Sequence, residues 1–229
     1  MKINSELNIS FDEVLRYTGF NNELHKLDDD MILKIQKNID LVKKTIRPRA
    51  VVSAAINIEE INEGIMAGGT LLLSGSDIKA HLKNCHSIII MGTTLGNEID
   101  ALIRRMEVSD MSDAVILDAA SNVAIEEFSS NYEDAIRDEI RLENKYLTMR
   151  YSPGYGNLPI NIQSELVRVI DGTRKIGLTV TPSHIMIPRK SVTSIMGVAD
   201  IDVKGKLAGC ANCVMKDKCV YRKRGTTCA

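Results

Sequence analysis

One long segment constrains this chain more than any other. From Ser112 to about Glu143 no Gly or Pro intervenes, and Leu117, Ala120, Ala124, Phe128, Tyr132, Ile136 and Ile140 recur at three- and four-residue steps. That is the periodicity of one helix with a single apolar face. Ala119, Ala120, Ser121 and Ala124 line its first half, so a neighbour packs close there.

Two shorter helices precede it. Ser10 stands before Phe11-Asp12-Glu13-Val14-Leu15, an N-cap followed by acids in the first turn, and Gly19 ends that segment. Residues 28–47 carry the stripe Ile32, Leu33, Ile35, Ile39, Leu41, Val42 and Ile46, and Pro48 stops it. Short strands are expected over Val51–Ile56, Leu71–Leu73, Ser87–Met91 and Tyr146–Tyr151, and near Leu178 and Val192. Ser76 or Asp77 is positioned to cap a short helix carrying Ile78, Leu82 and Cys85, and a further helix is expected around Gln163–Ile170. Gly92-Thr93-Thr94-Leu95-Gly96 reads as a turn needing glycine, with a minor alternative as an anion site of free backbone N–H groups before a helix. Helices with scattered short strands, and no βαβ repeat, indicate an α+β fold: a mixed or antiparallel twisted sheet with helices around it. Residues 1–200 form the expected domain, helical up to about residue 50, and 201–229 a basic, cysteine-rich tail.

Composition excludes several function classes. Lys+Arg 29 against Asp+Glu 30 leaves a net charge of −1, so no global basic field recommends nucleic acid as a partner. The longest apolar runs are about five residues, far short of a membrane span. MKINSELNISFDE has no apolar core after a basic start, so no secretory signal is expected and the location is expected to be cytoplasmic. There is no GxxxxGK[ST], no HExxH and no G-x-S-x-G, and Gly154-x-Gly156 lacks the third glycine of a dinucleotide fingerprint. The four histidines, His25, His81, His86 and His184, lack paired ligand spacing and read as surface or satisfied core residues.

The most unusual stretch is Arg150-Tyr151-Ser152-Pro153-Gly154-Tyr155-Gly156-Asn157-Leu158-Pro159. Pro-Gly at its centre predicts a type II turn with Gly154 at positive φ. If the flanks pair across that turn, Ser152 faces Tyr155 and Arg150 faces Asn157, which makes Arg150 and Tyr155 diagonal neighbours on one side. A guanidinium beside an aromatic ring suits a ligand with a carboxylate and a flat or cationic group. Many ligands meet that description, S-adenosylmethionine among them, and a purely structural turn meets it equally.

The pattern Arg150-x-x-x-Gly154-Tyr155-x-x-x-Pro159 resembles the S-adenosylmethionine loop in the activation domain of cobalamin-dependent methionine synthase. The resemblance continues through Ile176-Gly177-Leu178, Thr181-Pro182-Ser183, Met186, Pro188 and Ser191-Val192 in the family's order. Upstream, Leu73-x-Gly75-x-Asp77-Ile78-x-x-His81-Leu82-x-x-Cys85, Thr94-Leu95-Gly96 and the long helix resemble stand-alone relatives of that domain. It implies reductive reactivation, in which methyl transfer from S-adenosylmethionine traps cobalt(I) as methylcobalamin. By resemblance Arg150 holds the methionine carboxylate, Gly154 lets the backbone approach, and Tyr155 lines the site. The family places a Glu on the long helix for the ligand's amino group. Here the register offers Ile125 with Glu126 and Glu127 just beyond, and Glu126 is the candidate. The family's tyrosine segment after the Ser-Val strand is absent. No Asp-x-His-x-x-Gly stretch occurs, so the cobalamin is expected on a separate corrinoid protein, a methionine synthase or related methyltransferase.

Cys210, Cys213, Cys219 and Cys228 supply four thiolates, enough for zinc or an iron–sulfur cluster, although the spacing matches no ferredoxin run. Free thiols or a Cys210–Cys213 disulfide are the plain alternative. Lys216, Lys218, Arg222, Lys223 and Arg224 make this segment basic, fit to meet an acidic flavodoxin- or ferredoxin-type reductant. The rival reading of the whole chain is a non-catalytic, metal-bearing adaptor or electron carrier whose ligand loop is structural.

Overall fold

The computed structural model of the chain describes residues 7–19 and 27–203. In chain order its elements are α1 (Phe11–Tyr17), α2 (Asp29–Thr45), β1 (Arg49–Val52), β2 (Ile56–Ile61), β3 (Gly64–Ala67), β4 (Leu71–Ser74), α3 (Ser76–His81) and β5 (Ser87–Thr94). Then come α4 (Asn97–Ser109), α5 (Met111–Leu142), β6 (Tyr146–Leu147), a 3₁₀ turn (Ile160–Ile162), α6 (Gln163–Val169), α7 (Gly172–Ile176), β7 (Thr179–Val180), β8 (Met186–Ile187) and β9 (Ser191–Ala199). The fold is α+β, as its segregated pattern indicates. The described residues divide into two compact units, and β1, β5, α5 and β9 contribute residues to both.

Among the described residues the first unit draws on 7–19, 27–51, 92–136 and 171–192 and is mostly helical. Its helices begin where local chemistry dictates. Ser10 Oγ accepts the Glu13 N–H at 3.4 Å, and the Asp28 carboxylate accepts that of Met31 at 2.8 Å. Each bond satisfies a donor that the first turn leaves without a helical partner. At the far end of α2, the Arg47 guanidinium donates to the carbonyls of Lys44 and Ile46 at 3.0 and 2.8 Å. The core joins Val14, Ile35, Ile39 and Val42 to Leu95, Ile99, Leu117, Ala120, Ala124 and Phe128. Ile32 and Leu33 do not join this stripe; they are exposed on the first turn of α2. Lys190, nearly buried, donates to Asp118 and Asn122 of α5, both at 2.7 Å.

Among the described residues the second unit draws on 52–91, 137–170 and 193–203 and holds most of the sheet. Strand order is β4-β3-β2-β5-β9-β6, with β1 also pairing β5, and β7 and β8 form a separate pair. β2–β3, β3–β4, β2–β5 and β6–β9 are all antiparallel. The strand expected over Val51–Ile56 is in fact two, because Ser53–Ala55 leave the ladder between β1 and β2. The one expected over Tyr146–Tyr151 shrinks to β6 plus an isolated bridge between Tyr151 and Ile195. Gly92-Thr93-Thr94 is strand rather than turn: β5 runs through it, buried along its whole length. The minor anion-site reading at that position therefore loses its loop. Gly96, at φ 86, is the cap before α4, and an added Cβ there would lie 2.6 Å from the Glu98 carboxylate, so an acid already occupies that approach.

Among the described residues no helix is long and apolar enough to cross a membrane. None of their His, Cys, Asp and Glu residues form a group of three or more able to hold a metal ion. Cys210, Cys213, Cys219 and Cys228, and the basic segment around them, lie outside the described residues.

Candidate functional site

The loop after β6 is fixed within the second unit by a series of short-range rules. Tyr151 exchanges both backbone bonds with Ile195 of β9 at 2.9 Å, which anchors the loop's entrance to the sheet. Pro153 is buried, and the Tyr155 N–H donates to the Ser152 carbonyl at 3.1 Å. With Gly154 at φ 88, this is the β-turn that Pro-Gly predicts. The flanks do not continue as a hairpin. Instead the Gly154 N–H donates to Leu158 at 2.9 Å, the Leu158 N–H returns to Tyr155 at 3.0 Å, and Gly156 takes φ 50. Two successive turns thus replace the expected ladder, and Asn157 is engaged elsewhere rather than set opposite Arg150.

Its partners lie on α3, eighty residues earlier. Asn157 Oδ1 accepts the Asp77 N–H at 3.0 Å, and the Asp77 carboxylate accepts the Asn157 N–H at 3.2 Å. The Asn157 amide also donates to Ser76 Oγ at 2.9 Å. This is the reciprocity of a capping box made across the fold. It explains why neither Ser76 nor Asp77 caps α3, as their position suggests: the N-cap is Gly75, which offers no side chain. An added Cβ at Gly75 would lie 2.5 Å from Asn157 Oδ1, so glycine makes room for the distant cap.

An aromatic series lies beneath the turn. His81 is fully buried; its Nε2 lies 3.0 Å from the Thr148 hydroxyl, which accepts the Gly197 N–H at 2.8 Å. The His81 ring meets Tyr151 at 4.7 Å, and Tyr151 meets Tyr155 edge-on at 5.9 Å and 76°. Tyr151 is buried and donates its hydroxyl to the Tyr155 carbonyl at 3.2 Å. Burial pushes the Tyr151 phenol up, and the nearby charge of Asp77 adds to the effect. Tyr155 is 46% exposed, so the ring supported from below presents surface outward. Arg150, one residue before the bridge, is partly exposed. The loop therefore combines an exposed aromatic ring, an exposed glycine backbone at residues 154 and 156, and a guanidinium.

Glu126 is exposed on α5, in the first unit, whereas Ile125 is buried. The helix register thus leaves Glu126 and the half-buried Glu127, not Ile125, to offer a carboxylate. Sequence reasoning named Arg150, Gly154 and Tyr155 but missed Tyr151 and the Asp77–Asn157 pair as supports. The available signal was the glycine before α3, a helix start with no cap of its own.

Residues 101–203 match the family model described as Vitamin B12 dependent methionine synthase, activation domain. No curated protein matches the chain. A crystal structure of the MetH reactivation domain bound to AdoHcy resembles it in fold, with a TM-score of 0.58 and 17% identity over 94% of this chain and 80% of that one. Residues 101–203 thus match the activation-domain family model, and the chain as a whole shares the fold of that reactivation domain.

Proposed function

We propose that this protein binds S-adenosylmethionine through the loop at 150–159 and supports reductive methylation of cobalamin carried by a separate corrinoid protein. The observation that carries the reading is the turn itself. Gly154 and Tyr155, at the matching positions of the family's loop, are exposed on a bend held by backbone bonds within the loop and by the Tyr151 ring beneath Tyr155. Such a loop has its conformation set before a ligand arrives, which lowers the ordering cost of binding.

The residues fit the ligand's chemistry. A guanidinium grips a carboxylate through two parallel bonds, which assigns the methionine carboxylate to Arg150. The face of a tyrosine attracts a cation, which assigns the sulfonium side to Tyr155. Gly154, without a Cβ, lets ligand atoms reach the backbone. Glu126 takes the ligand's ammonium group by family resemblance. When bound, S-adenosylmethionine supplies the methyl group that traps the reduced cobalt, and the electron comes from a flavodoxin- or ferredoxin-type donor.

Titration calorimetry with S-adenosylmethionine tests the site. Binding weakened about tenfold or more by Arg150→Ala, as loss of a charge-assisted pair requires, supports it. Glu126→Gln tests the ammonium contact in the same assay. Recovery of a cobalt(II)-inactivated methionine synthase on addition of the protein, S-adenosylmethionine and reductant tests the function. No recovery rejects it for that partner.

A further inference from the structure

The loop at 150–159 owes its shape to a helix that carries none of the residues assigned to the ligand. Two groups converge on Gly156: an added Cβ there would meet the Asp77 carboxylate and would lie 2.5 Å from the Tyr151 hydroxyl. Asp77 holds the Asn157 N–H, Asn157 holds the Asp77 N–H, and the Tyr151 hydroxyl holds the Tyr155 carbonyl. Each peptide from Tyr155 to Leu158 therefore has a bonded partner, and the bonds of Asn157 to Asp77 and Ser76 tie this part of the loop to α3, outside its own sequence. The backbone bonds of Gly154 and Leu158, by contrast, stay within the loop.

We propose that Asp77 is a positioning residue for ligand binding, which with Asn157 forms a clasp from the start of α3 that holds the Gly154–Leu158 double turn in its binding shape. The inference rests on the reading of this loop as the S-adenosylmethionine site. Without the carboxylate, the Asn157 peptide loses its acceptor, and the turn that carries Gly154 and Tyr155 is free to reorient. The fold of the unit does not depend on this tie, because β2–β5, β6 and β9 are paired by their own ladders.

The test measures S-adenosylmethionine affinity and thermal unfolding together, on the full chain, for the wild type, Asp77→Ala, Asp77→Asn, Asn157→Ala and Lys79→Ala. Lys79 lies on the same helix, but its ammonium pairs with Glu60 and the Ile61 carbonyl, away from the loop. Asp77→Ala is expected to weaken binding about tenfold with little change in unfolding temperature. Asp77→Asn, which keeps an acceptor oxygen, restores most of it, and Lys79→Ala binds as the wild type does. Asn157→Ala, which removes the side-chain half of the clasp, weakens binding in the same direction and decides the matter if Asp77→Ala does not fold. Wild-type binding that both Asp77→Ala and Asn157→Ala match overturns the clasp while leaving the ligand site intact. Absence of binding by the wild type overturns the ligand site, and the clasp's role with it.

Discussion

Replacing Gly75 by alanine separates two costs that are usually confounded. Gly75 has φ 122 and ψ 149, a region open essentially to glycine alone, and holding a side chain there costs about 1–3 kcal/mol. The added Cβ would also stand 2.5 Å from Asn157 Oδ1 and 2.9 Å from the Asn157 carbonyl, closer than real Cβ contacts come. Asn157 must then swing away, giving up its bonds to the Asp77 N–H and to Ser76 Oγ. Both bonds are exposed, so together they are worth about 1 kcal/mol. Gly75→Ala is therefore expected to destabilise by about 2–4 kcal/mol, a large share of the roughly 5–15 kcal/mol typical of a domain. Gly69→Ala is the control: φ is 70 there, yet an added Cβ meets nothing within 4 Å, so only backbone strain of about 1 kcal/mol is expected. Urea unfolding monitored by circular dichroism reads both. In an Asn157→Ala background the Gly75→Ala cost should drop by about 1 kcal/mol, since the bonds it breaks are already gone. If Gly75→Ala and Gly69→Ala agree within about 0.5 kcal/mol, the capping argument is wrong and only backbone strain operates.

Further outcomes follow from the half-buried Cys85 and the buried Lys190. Burial pushes the Cys85 thiol up to about 11 from an ordinary 9.0, so its thiolate at pH 8 is roughly a hundredfold scarcer than that of a free thiol. Peptide mapping after iodoacetamide treatment should show Cys85 reacting correspondingly slowly. The native state also keeps a proton that the unfolded chain releases, so stability in urea should fall as pH rises from about 9 towards about 11. Lys190→Ala removes the ammonium that Asp118 and Asn122 share at 2.7 Å. Because the Asp118 side chain is 40% exposed, water takes over part of its solvation, and the expected loss is about 1–3 kcal/mol rather than that of a fully buried pair. Lys190→Met, which keeps the buried stem, should lose less, again by urea unfolding.

The elements legible in the sequence are those whose causes are local. α5 shows itself by period alone, α1 and α2 by a capping side chain three residues before the amide it serves, and β5 by a continuous apolar run. β3 and most of β2 lie beyond the expected strands because Ile56–Ile61 carries two adjacent glutamates and is nowhere buried, so alternation gives little contrast. Gly64 looks like a break, but it sits within β3 because the Leu73 carbonyl approaches so closely that a Cβ would lie 2.1 Å away. Ile32 and Leu33 fit a helical stripe by spacing yet remain exposed, since the first turn of α2 extends past the core that buries Ile35 and Ile39. In each case the neighbour that decides the meaning of the pattern lies elsewhere in the chain.

The loop illustrates the same limit at the site. Pro153-Gly154 fixes one turn, and the Ser152–Tyr155 bond follows from those two residues alone. What happens after Tyr155 does not, because the hairpin register that would set Arg150 against Asn157 competes with a helix start lacking its own cap. Helix α3 begins at a glycine, and its first amides must find acceptors somewhere if they are not to be left to water. Asn157 supplies one, and Asp77 returns the bond, so the competition is settled by two residues eighty positions apart. A glycine at the N-cap, where Ser, Thr, Asp or Asn is the rule, was thus a readable sign that the cap comes from another segment. The donor accounting could say that a partner exists; only the fold could say that it is the loop beside Tyr155.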